Sequence, residues 1–403
     1  MKKFLKQYKW PGLTKEIRMD INFTEFKKIN NLPKTGEKIV VAMSGGVDSS
    51  VTAAILNYLG YEVIGVSMKL YEASKASASK TCCSGKDIRD ARTVAKKIGI
   101  KHFIVDYKSR FKQSVIEDFI ESYNKGHTPI PCIKCNQTVK FKDMLDFSKS
   151  IGCSYLATGH YVKRIEEDGR IHLYQANDKT KDQSYFLFAT TQNQLKTLRF
   201  PLGYFTKQEI RNLAKFFSLD VADKPDSQDI CFIPDGNYRD FLKKNSTGSF
   251  KQGVIETVDG TSLGFHDGLA NYTIGQRKGI GIGGIKGQNE HRPFYVVDIN
   301  LKNNKVIVGP KDKLKKYFIY LKDLNFCSGD LPIKPFKATI KIRSGMSLVN
   351  GEVRISDINK NLGVVELSKP EYGVAPGQAC VFYDRKKKMI GGGWISASEK
   401  QNN

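Results

Sequence analysis

No stretch of this 403-residue chain approaches the roughly 20 consecutive apolar residues of a bilayer-spanning helix, which excludes a helical membrane protein. The N-terminus, MKKFLKQYKWPGLTKEIR, carries lysines but lacks the apolar core of a secretory signal. Glu16, Asp20 and Glu25 argue against an organelle transit peptide. Residues 1–36 are therefore expected to be a basic N-terminal extension, and the protein to be cytoplasmic. Also missing is the Gly-Lys-Ser/Thr end of a Walker A loop, so an ordinary P-loop NTPase is excluded. There is no internal repeat of fixed period. Acidic residues are scarce: 41 Asp and Glu against 65 Lys and Arg leave a net charge of +24. A polyanionic partner fits that surplus, although lysine richness throughout the chain accounts for part of it.

At about 100–200 residues per domain, two or three domains are expected. From residue 37, apolar runs alternate with amphipathic stretches. Ile39–Ala42, Val63–Met68, His102–Val105 and Tyr155–Thr158 read as strands. Between them, Val51, Ala54, Ile55, Tyr58 and Leu59 fall on one helical face that stops at Gly60, and further helices are expected over 88–98, 111–123 and 139–151. That alternation predicts an α/β domain, a doubly wound parallel sheet with its ligand at the carboxyl ends of the strands. Beyond about residue 240, glycines become frequent and short runs take over: Phe294–Ile299, Lys305–Val308, Lys337–Ile342, Gly363–Leu367 and Ala379–Tyr383. Asn303-Asn304 sits between two of them as a hairpin turn would. The expected division is a nucleotide-binding catalytic domain over 37–238, a small central β-rich module over 239–312 and a C-terminal β-barrel over 313–403.

The strongest local motif is Ser44-Gly45-Gly46-Val47-Asp48-Ser49-Ser50, between a strand and a helix. Two glycines let the backbone approach a ligand, while the serines and the helix N-terminus supply donors and positive dipole. That cradle suits a pyrophosphate, and the Asp48 carboxylate points to Mg²⁺ rather than direct phosphate contact. A glycine turn with a Ser/Asp helix cap is the plainer alternative. The loop resembles that of the ATP-pyrophosphatase superfamily, whose members split ATP between the α- and β-phosphates and adenylate a carbonyl oxygen.

Eight cysteines are expected to be thiols in a reducing compartment. Cys132 and Cys135 form one C-x-x-C in a proline-fixed loop just before a helix, and Cys231 lies in Asp226-Ser227-Gln228-Asp229-Ile230-Cys231-Phe232-Ile233. A helix N-terminus and Lys134 should lower the thiol pKa there. Structural zinc usually needs two such pairs, and a thioredoxin-like redox pair leaves the phosphate loop unexplained. Cys153, Cys327 and Cys380 read as structural, and Cys82 and Cys83 as buried small apolar groups.

Together with Cys82-Cys83-Ser84, Thr158-Gly159-His160-Tyr161, Lys181-Asp182-Gln183-Ser184-Tyr185, Asn271–Gly279 and Pro376-Gly377-Gln378-Ala379, these motifs resemble the tRNA-specific 2-thiouridylases (the MnmA/TrmU family) over residues 38 to about 395. The resemblance implies ATP and Mg²⁺ at Ala42, Met43, Ser44, Gly45, Gly46, Val47, Asp48 and Ser49, with Met68 and Gly159 near the adenosine. It implies that Cys135 is the nucleophile and Cys231 the persulfide carrier. Ile130, Pro131 and Cys132 would face the target base; His160, Lys181, Asp182, Gln183, Arg343, Ser344 and Gln378 would touch tRNA. A cysteine desulfurase, directly or through a sulfur-relay protein, would supply sulfur. Taken singly, His160 also reads as a core histidine, Lys181–Gln183 as a solvated turn and Arg343 as part of a barrel face.

The implied activity is adenylation of the C2 oxygen of the wobble uridine, then sulfur transfer to give 2-thiouridine. Many family members carry Asp where this chain has Cys132. The resulting set of Cys132, Cys135 and Cys231 fits three ligands of a [4Fe–4S] cluster with one iron open to hydrosulfide. An amide-forming ATP pyrophosphatase needs neither Cys135 nor Cys231, and a non-catalytic tRNA-binding protein needs no intact phosphate loop.

Overall fold

The computed structural model describes residues 23–71, 85–226, 230–233, 236–245, 250–282 and 293–397. Cys82, Cys83 and Ser84, residues 227–229 of the Cys231 motif and residues 1–22 of the extension lie outside them.

The first unit contains β1 (Lys38–Ala42), β2 (Glu62–Lys69), β3 (Lys101–Asp106), β4 (Tyr155–Ala157), the hairpin β5 (Val162–Glu167) and β6 (Arg170–Gln175), and β7 (Leu198–Arg199). Five of these form a parallel sheet in the order β3-β2-β1-β4-β7. Successive side chains of a strand point to opposite faces. Accordingly, Val40, Ile64, Val66 and Met68 enter one core, while Ile39, Val41 and Val63 enter the other. Both faces are covered, the condition a parallel sheet requires, and the expected doubly wound domain is what forms.

The helix after β1 runs Val47–Tyr58, and its end is set by Gly60 (φ +84°), where Gly60 N–H donates to the Asn57 carbonyl at 3.0 Å. The helix expected from Val139 begins earlier. It starts at Pro131, passes through a π-helical stretch, Asn136–Asp143, and ends at Ser150. Proline at the first turn costs no hydrogen bond and presets the backbone angle. Residues 23–31 of the extension are folded onto the domain: helix Phe23–Ile29 buries Phe26 with Leu59 and Tyr61, and Asn31 donates to Glu166 at 2.8 Å.

The second half is the expected β module and barrel. β8 (Gly253–Thr257), β9 (Ser262–His266), β10 (Tyr295–Asn300) and β11 (Lys305–Gly309) form one sheet in the order β10-β11-β8-β9. β12 (Lys315–Phe326), β13 (Phe336–Lys341), β14 (Val349–Ile355), β15 (Gly363–Tyr372), β16 (Ala379–Tyr383) and β17 (Met389–Ile395) close a barrel in the order β12-β15-β14-β13-β16-β17. β16 is buried on both faces. Cys380 and Phe382 point into the barrel, while Ala379, Val381 and Tyr383 join the core of the catalytic domain. Buried polar bonds seal that junction: Tyr185 Oη donates to the Ala379 carbonyl at 3.0 Å, and the Ser184 and Tyr383 hydroxyls lie 2.9 Å apart. Among the described residues no helix is long and apolar enough to cross a membrane.

Candidate active site

The phosphate loop sits at the carboxyl end of β1, as the fold predicts for a ligand site. Gly45 has φ +74°, and a Cβ there would collide with the Asp87 carbonyl; only glycine fits this close passage. Gly159, expected near the adenosine, lies against the same loop, where a Cβ would come within 2.9 Å of Ser49 N. The Ser49 hydroxyl accepts from Ser44 N–H at 3.1 Å and lies 3.2 Å from Ser44 Oγ, so the two serines brace the turn. Met43, which directly precedes the loop, and Met68, near the end of β2, are both buried.

A chain of charges leaves the loop through Asp48. Its Oδ1 accepts from Tyr161 Oη at 2.8 Å and from Lys207 Nζ at 2.7 Å, and its Oδ2 lies 2.9 Å from the same Nζ. Lys207 Nζ is also 2.7 Å from Asp226 Oδ1, whose carboxylate pairs further with Lys181 at 2.8 Å and Arg211 at 3.3 Å. Burial alone would raise the Asp226 pKa; hydrogen bonds from Lys181 and Lys207 bring it below its ordinary value. Burial and the neighbouring Asp48 push the Tyr161 phenol well up, so it remains a donor. Local structure positions Lys207. Thr206 and Glu209 form a reciprocal capping box that opens helix Lys207–Phe216, and Lys207 N–H donates to Asp178 at 3.0 Å. Arg211, four positions on, shares its face. A second lysine, Lys224, donates to the Gly45 carbonyl at 3.0 Å and pairs with Asp87 at 2.6 Å and Asp90 at 2.5 Å.

The cysteine segments flank one core. Cys135 is buried within it, and Cys231 packs against it beside Phe232, whose ring contacts Phe111, Phe119 and Phe241. Cys132 is exposed, and Pro131 is buried with Ile130 half-buried at the same turn. The expected lowering of the thiol pKa is overturned for Cys135. Burial pushes its thiol up to about 11, with Lys140 lowering it and Cys132 raising it, while Lys134 instead pairs with Asp118 at 3.5 Å. Among the described residues, Cys132, Cys135 and Cys231 included, no three His, Cys, Asp or Glu side chains are grouped to hold a metal ion. Cys153, Cys327 and Cys380 are buried, and burial raises all three thiols, Cys327 to about 12.

The residues expected to touch tRNA are divided between surface and structure. Ser344 is exposed. Lys181 is engaged with Asp226. The Asp182 carboxylate is 4% exposed and accepts from Ala176 N–H at 3.0 Å and Ser184 Oγ at 2.9 Å. Gln183 Oε1 accepts from Tyr161 N–H at 2.9 Å, thereby holding the ring that reaches Asp48. His160 lies between Phe141 and Phe200, bonded to Thr158 Oγ1 at 2.7 Å, and burial pushes its imidazole down to about 3. Arg343 donates through Nη2 to the Tyr372 carbonyl at 2.7 Å and to that of Gly373. Gln378 Nε2 donates to the Thr128 carbonyl.

The sequence reading assigned no role to Tyr161, Lys207, Arg211 or Lys224. One signal was available: Thr206-Lys207-Gln208-Glu209 is a capping-box sequence that marks a helix start.

Three family models match the chain in succession. A tRNA methyl transferase HUP domain matches residues 37–235, a tRNA methyl transferase PRC-barrel domain 239–310, and an aminomethyltransferase β-barrel domain 316–395. The chain is 49% identical to the tRNA-specific 2-thiouridylase MnmA of Wolbachia sp. subsp. Drosophila simulans, over 89% of this chain and 94% of that protein. Its identity to the protein of the same name from Rickettsia canadensis is 48%, over 91% and 98% of the two chains. To that of Maricaulis maris it is 47%, over 90% and 88%.

Proposed function

The chain belongs to the tRNA-specific 2-thiouridylase family, and on that premise we propose how its residues divide the work. It is a tRNA-uridine 2-sulfurtransferase that uses ATP to convert the wobble uridine of tRNA to 2-thiouridine. The matched domains carry a methyltransferase label. Relatives spanning about nine-tenths of the chain are named thiouridylases, and a phosphate loop with two cysteine segments packed on one core suits adenylation and sulfur transfer.

The C2 oxygen of uridine is a poor leaving group. It attacks the α-phosphorus of ATP, the α–β bond breaks, and pyrophosphate departs into the cradle of Ala42–Ser49, with Met68 and Gly159 beside the adenosine. Mg²⁺ fits at Asp48, since that ion needs only one or two protein carboxylates besides phosphate and water, and it would neutralise the departing charge. The terminal sulfur of a Cys231 persulfide then attacks C2 and expels AMP. Cys135, as thiolate, attacks Cys231 Sγ; the S–S bond breaks, the thiolate of 2-thiouridine leaves, and a Cys135–Cys231 disulfide remains for a dithiol reductant. The base must be unstacked to enter, with Ile130, Pro131 and Cys132 facing it. His160, Lys181, Asp182, Gln183, Arg343, Ser344 and Gln378 support the tRNA surface, directly or by ordering it. A cytoplasmic cysteine desulfurase or relay protein loads the half-exposed Cys231. The units 37–238, 239–312 and 313–403 serve catalysis, bridging and tRNA binding. Among the described residues, Cys132, Cys135 and Cys231 are not grouped as the ligands of an iron–sulfur cluster would be.

The observation that carries this reading is the ion-pair chain Asp48–Lys207–Asp226, which joins the phosphate loop through two 2.7 Å contacts to Asp226, five positions before Cys231 in the sequence. The test is incubation with ATP, unmodified tRNA and a persulfide donor. AMP, pyrophosphate and 2-thiouridine in equal amounts are expected; ADP as the nucleotide product overturns the reading.

A further inference from the structure

The two glycines of the phosphate loop solve one problem and create another. Without a Cβ at Gly45 or Gly46, a phosphate can approach the backbone. The peptide unit between them is free to turn over for the same reason, since a flip changes only ψ of Gly45 and φ of Gly46 and no Cβ resists it. One orientation offers the Gly46 N–H to an anion. The other offers the Gly45 carbonyl, which an anion repels. The surroundings of this unit are fixed: Ser44 N–H donates to the Ser49 hydroxyl at 3.1 Å, and the Gly46 carbonyl accepts from Ser50 N–H at 3.2 Å and Ser50 Oγ at 2.8 Å. The unit itself is held from outside the loop, where Lys224 Nζ donates to the Gly45 carbonyl at 3.0 Å. A trans peptide carries its C=O and N–H on opposite edges, and the described residues contain no cis bond. With its carbonyl turned to Lys224, the unit turns the Gly46 N–H away from that lysine.

We propose that Lys224 is a positioning residue that locks the Gly45–Gly46 peptide with its N–H toward the pyrophosphate of ATP, acting through the backbone and not as a charge on the phosphate. The proposal rests on the ATP-dependent reading above. The donor count separates the two roles. An ammonium has three N–H groups, and those of Lys224 match three acceptors: the Gly45 carbonyl at 3.0 Å, Asp87 Oδ1 at 2.6 Å and Asp90 Oδ2 at 2.5 Å. None is left for a phosphate oxygen, and two carboxylates outweigh the single positive charge. Burial alone would lower the Lys224 pKa; hydrogen bonds to Asp87 and Asp90 carry it above its ordinary value, so the group remains a donor. Asp87 and Asp90 in turn hold the lysine in place from the first turns of helix Gly85–Ile98, whose Asp87 carbonyl lies against Gly45. The helix that demands a glycine at position 45 thus also anchors the residue that restrains it. The Gly46 N–H then joins the donors at the N-terminus of helix Val47–Tyr58.

The test measures binding of inorganic pyrophosphate, with Mg²⁺, to the full-length protein by calorimetry. Lys224→Met should weaken it by about tenfold or more, the worth of one hydrogen bond to a charged group. The same variant should raise KM for ATP in AMP formation and leave tRNA affinity unchanged. Lys224→Arg, which can still reach the carbonyl, should recover part of the loss. Removing the lysine also uncovers two carboxylates that repel pyrophosphate, so the deciding variant combines Lys224→Met with Asp87→Asn and Asp90→Asn. It lacks the lysine and both charges, and it should still bind weakly. Parental binding by the triple variant would make Lys224 a charge balance only and overturns the proposal, as does parental binding by Lys224→Met itself. If Lys224→Met fails to fold, the triple variant, which leaves no carboxylate unpaired there, decides the matter. ATP–pyrophosphate exchange with tRNA separates the two levels of inference. Without exchange in the wild-type protein, the functional reading fails; with exchange that Lys224→Met leaves unimpaired, the role of the lysine alone fails.

Discussion

The side-chain amide of Gln378 donates to the carbonyl of Thr128 at 2.8 Å, a bond that spans 250 positions. It is reinforced from the next turn: Thr128 N–H donates to the Pro376 carbonyl at 2.7 Å. Gly377, with φ +87°, passes so close that a Cβ would lie 3.0 Å from His127 Cβ. The barrel thus grips the loop that leads, three residues later, into the helix carrying Cys132 and Cys135. Under the proposed roles, Gln378 would both meet tRNA and order the loop before Cys132 and Cys135, so tRNA docking and placement of the cysteines would share one joint.

Replacing Gln378 should therefore hurt turnover more than affinity. Misplacing reacting groups by about 1 Å can cost on the order of a hundredfold, while one lost hydrogen bond costs about 1 kcal/mol. Gln378→Leu is expected to lower 2-thiouridine formation at saturating tRNA by about tenfold or more and to weaken tRNA binding only severalfold. Normal turnover at saturating tRNA, with binding alone impaired, would assign Gln378 solely to tRNA contact.

Asp48→Asn removes the charge on which Lys207 and Mg²⁺ would converge while keeping the shape of the loop. The variant should form no AMP or pyrophosphate, measured by nucleotide chromatography, and should bind tRNA as the parent does. Undiminished AMP production would remove Asp48 from metal binding.

Features written in local pattern were legible. β1 and the phosphate loop follow from an apolar run and a glycine turn, and the Asn303-Asn304 turn, with φ +50° at Asn304, joins β10 to β11 as expected. β16 was readable because a strand buried on both faces has no polar alternation to lose. The Lys207 bridge was not legible. Its partner Asp48 is 159 positions away, and no periodicity encodes a charge pairing across a fold. Cys135 shows the same limit from the other side. The helix was legible but its start at Pro131, ahead of both cysteines, was not, and the thiol's ionisation is set by the core that closes over it.

That burial makes a pH prediction. The Cys135 thiol, pushed up to about 11, is neutral at pH 7, so its thiolate fraction grows with pH. Single-turnover release of 2-thiouridine from the Cys231-linked intermediate should accelerate about tenfold per pH unit between roughly pH 7 and 9. Because the folded pKa is raised above the ordinary value, folding favours the neutral thiol. The associated stability is full below the unfolded pKa and is lost as pH rises toward about 11. A flat rate over pH 7–9 would mean that bound tRNA or Lys140 already supplies the thiolate.

Binding of tRNA should weaken steeply with salt. Each phosphate neutralised releases counterions, giving a log–log slope of roughly −0.7 to −0.9 per contact. Anisotropy titrations across salt measure it directly. The net charge of +24 has room for several contacts; a flat response would mean that the lysine surplus is a bias of composition with no bearing on tRNA.

Cys132 separates the two chemistries that three thiols permit. It is exposed at the start of its helix, while Cys135, three positions on, is buried, and no metal-holding group is assembled among the described residues. On that geometry the persulfide route needs only Cys135 and Cys231, and Cys132 replaces a small loop residue. Cys132→Ser and Cys132→Asp should then keep 2-thiouridine formation within about threefold, as exposed substitutions usually do. Cys135→Ser and Cys231→Ser should abolish it. The measurement must be made on anaerobically purified protein, with iron and sulfide analysis and EPR after reduction, because air would destroy a cluster with an open iron. About four irons per chain, lost together with activity in Cys132→Ser, would mean that the thiols regroup around a cluster. That result would overturn the persulfide route.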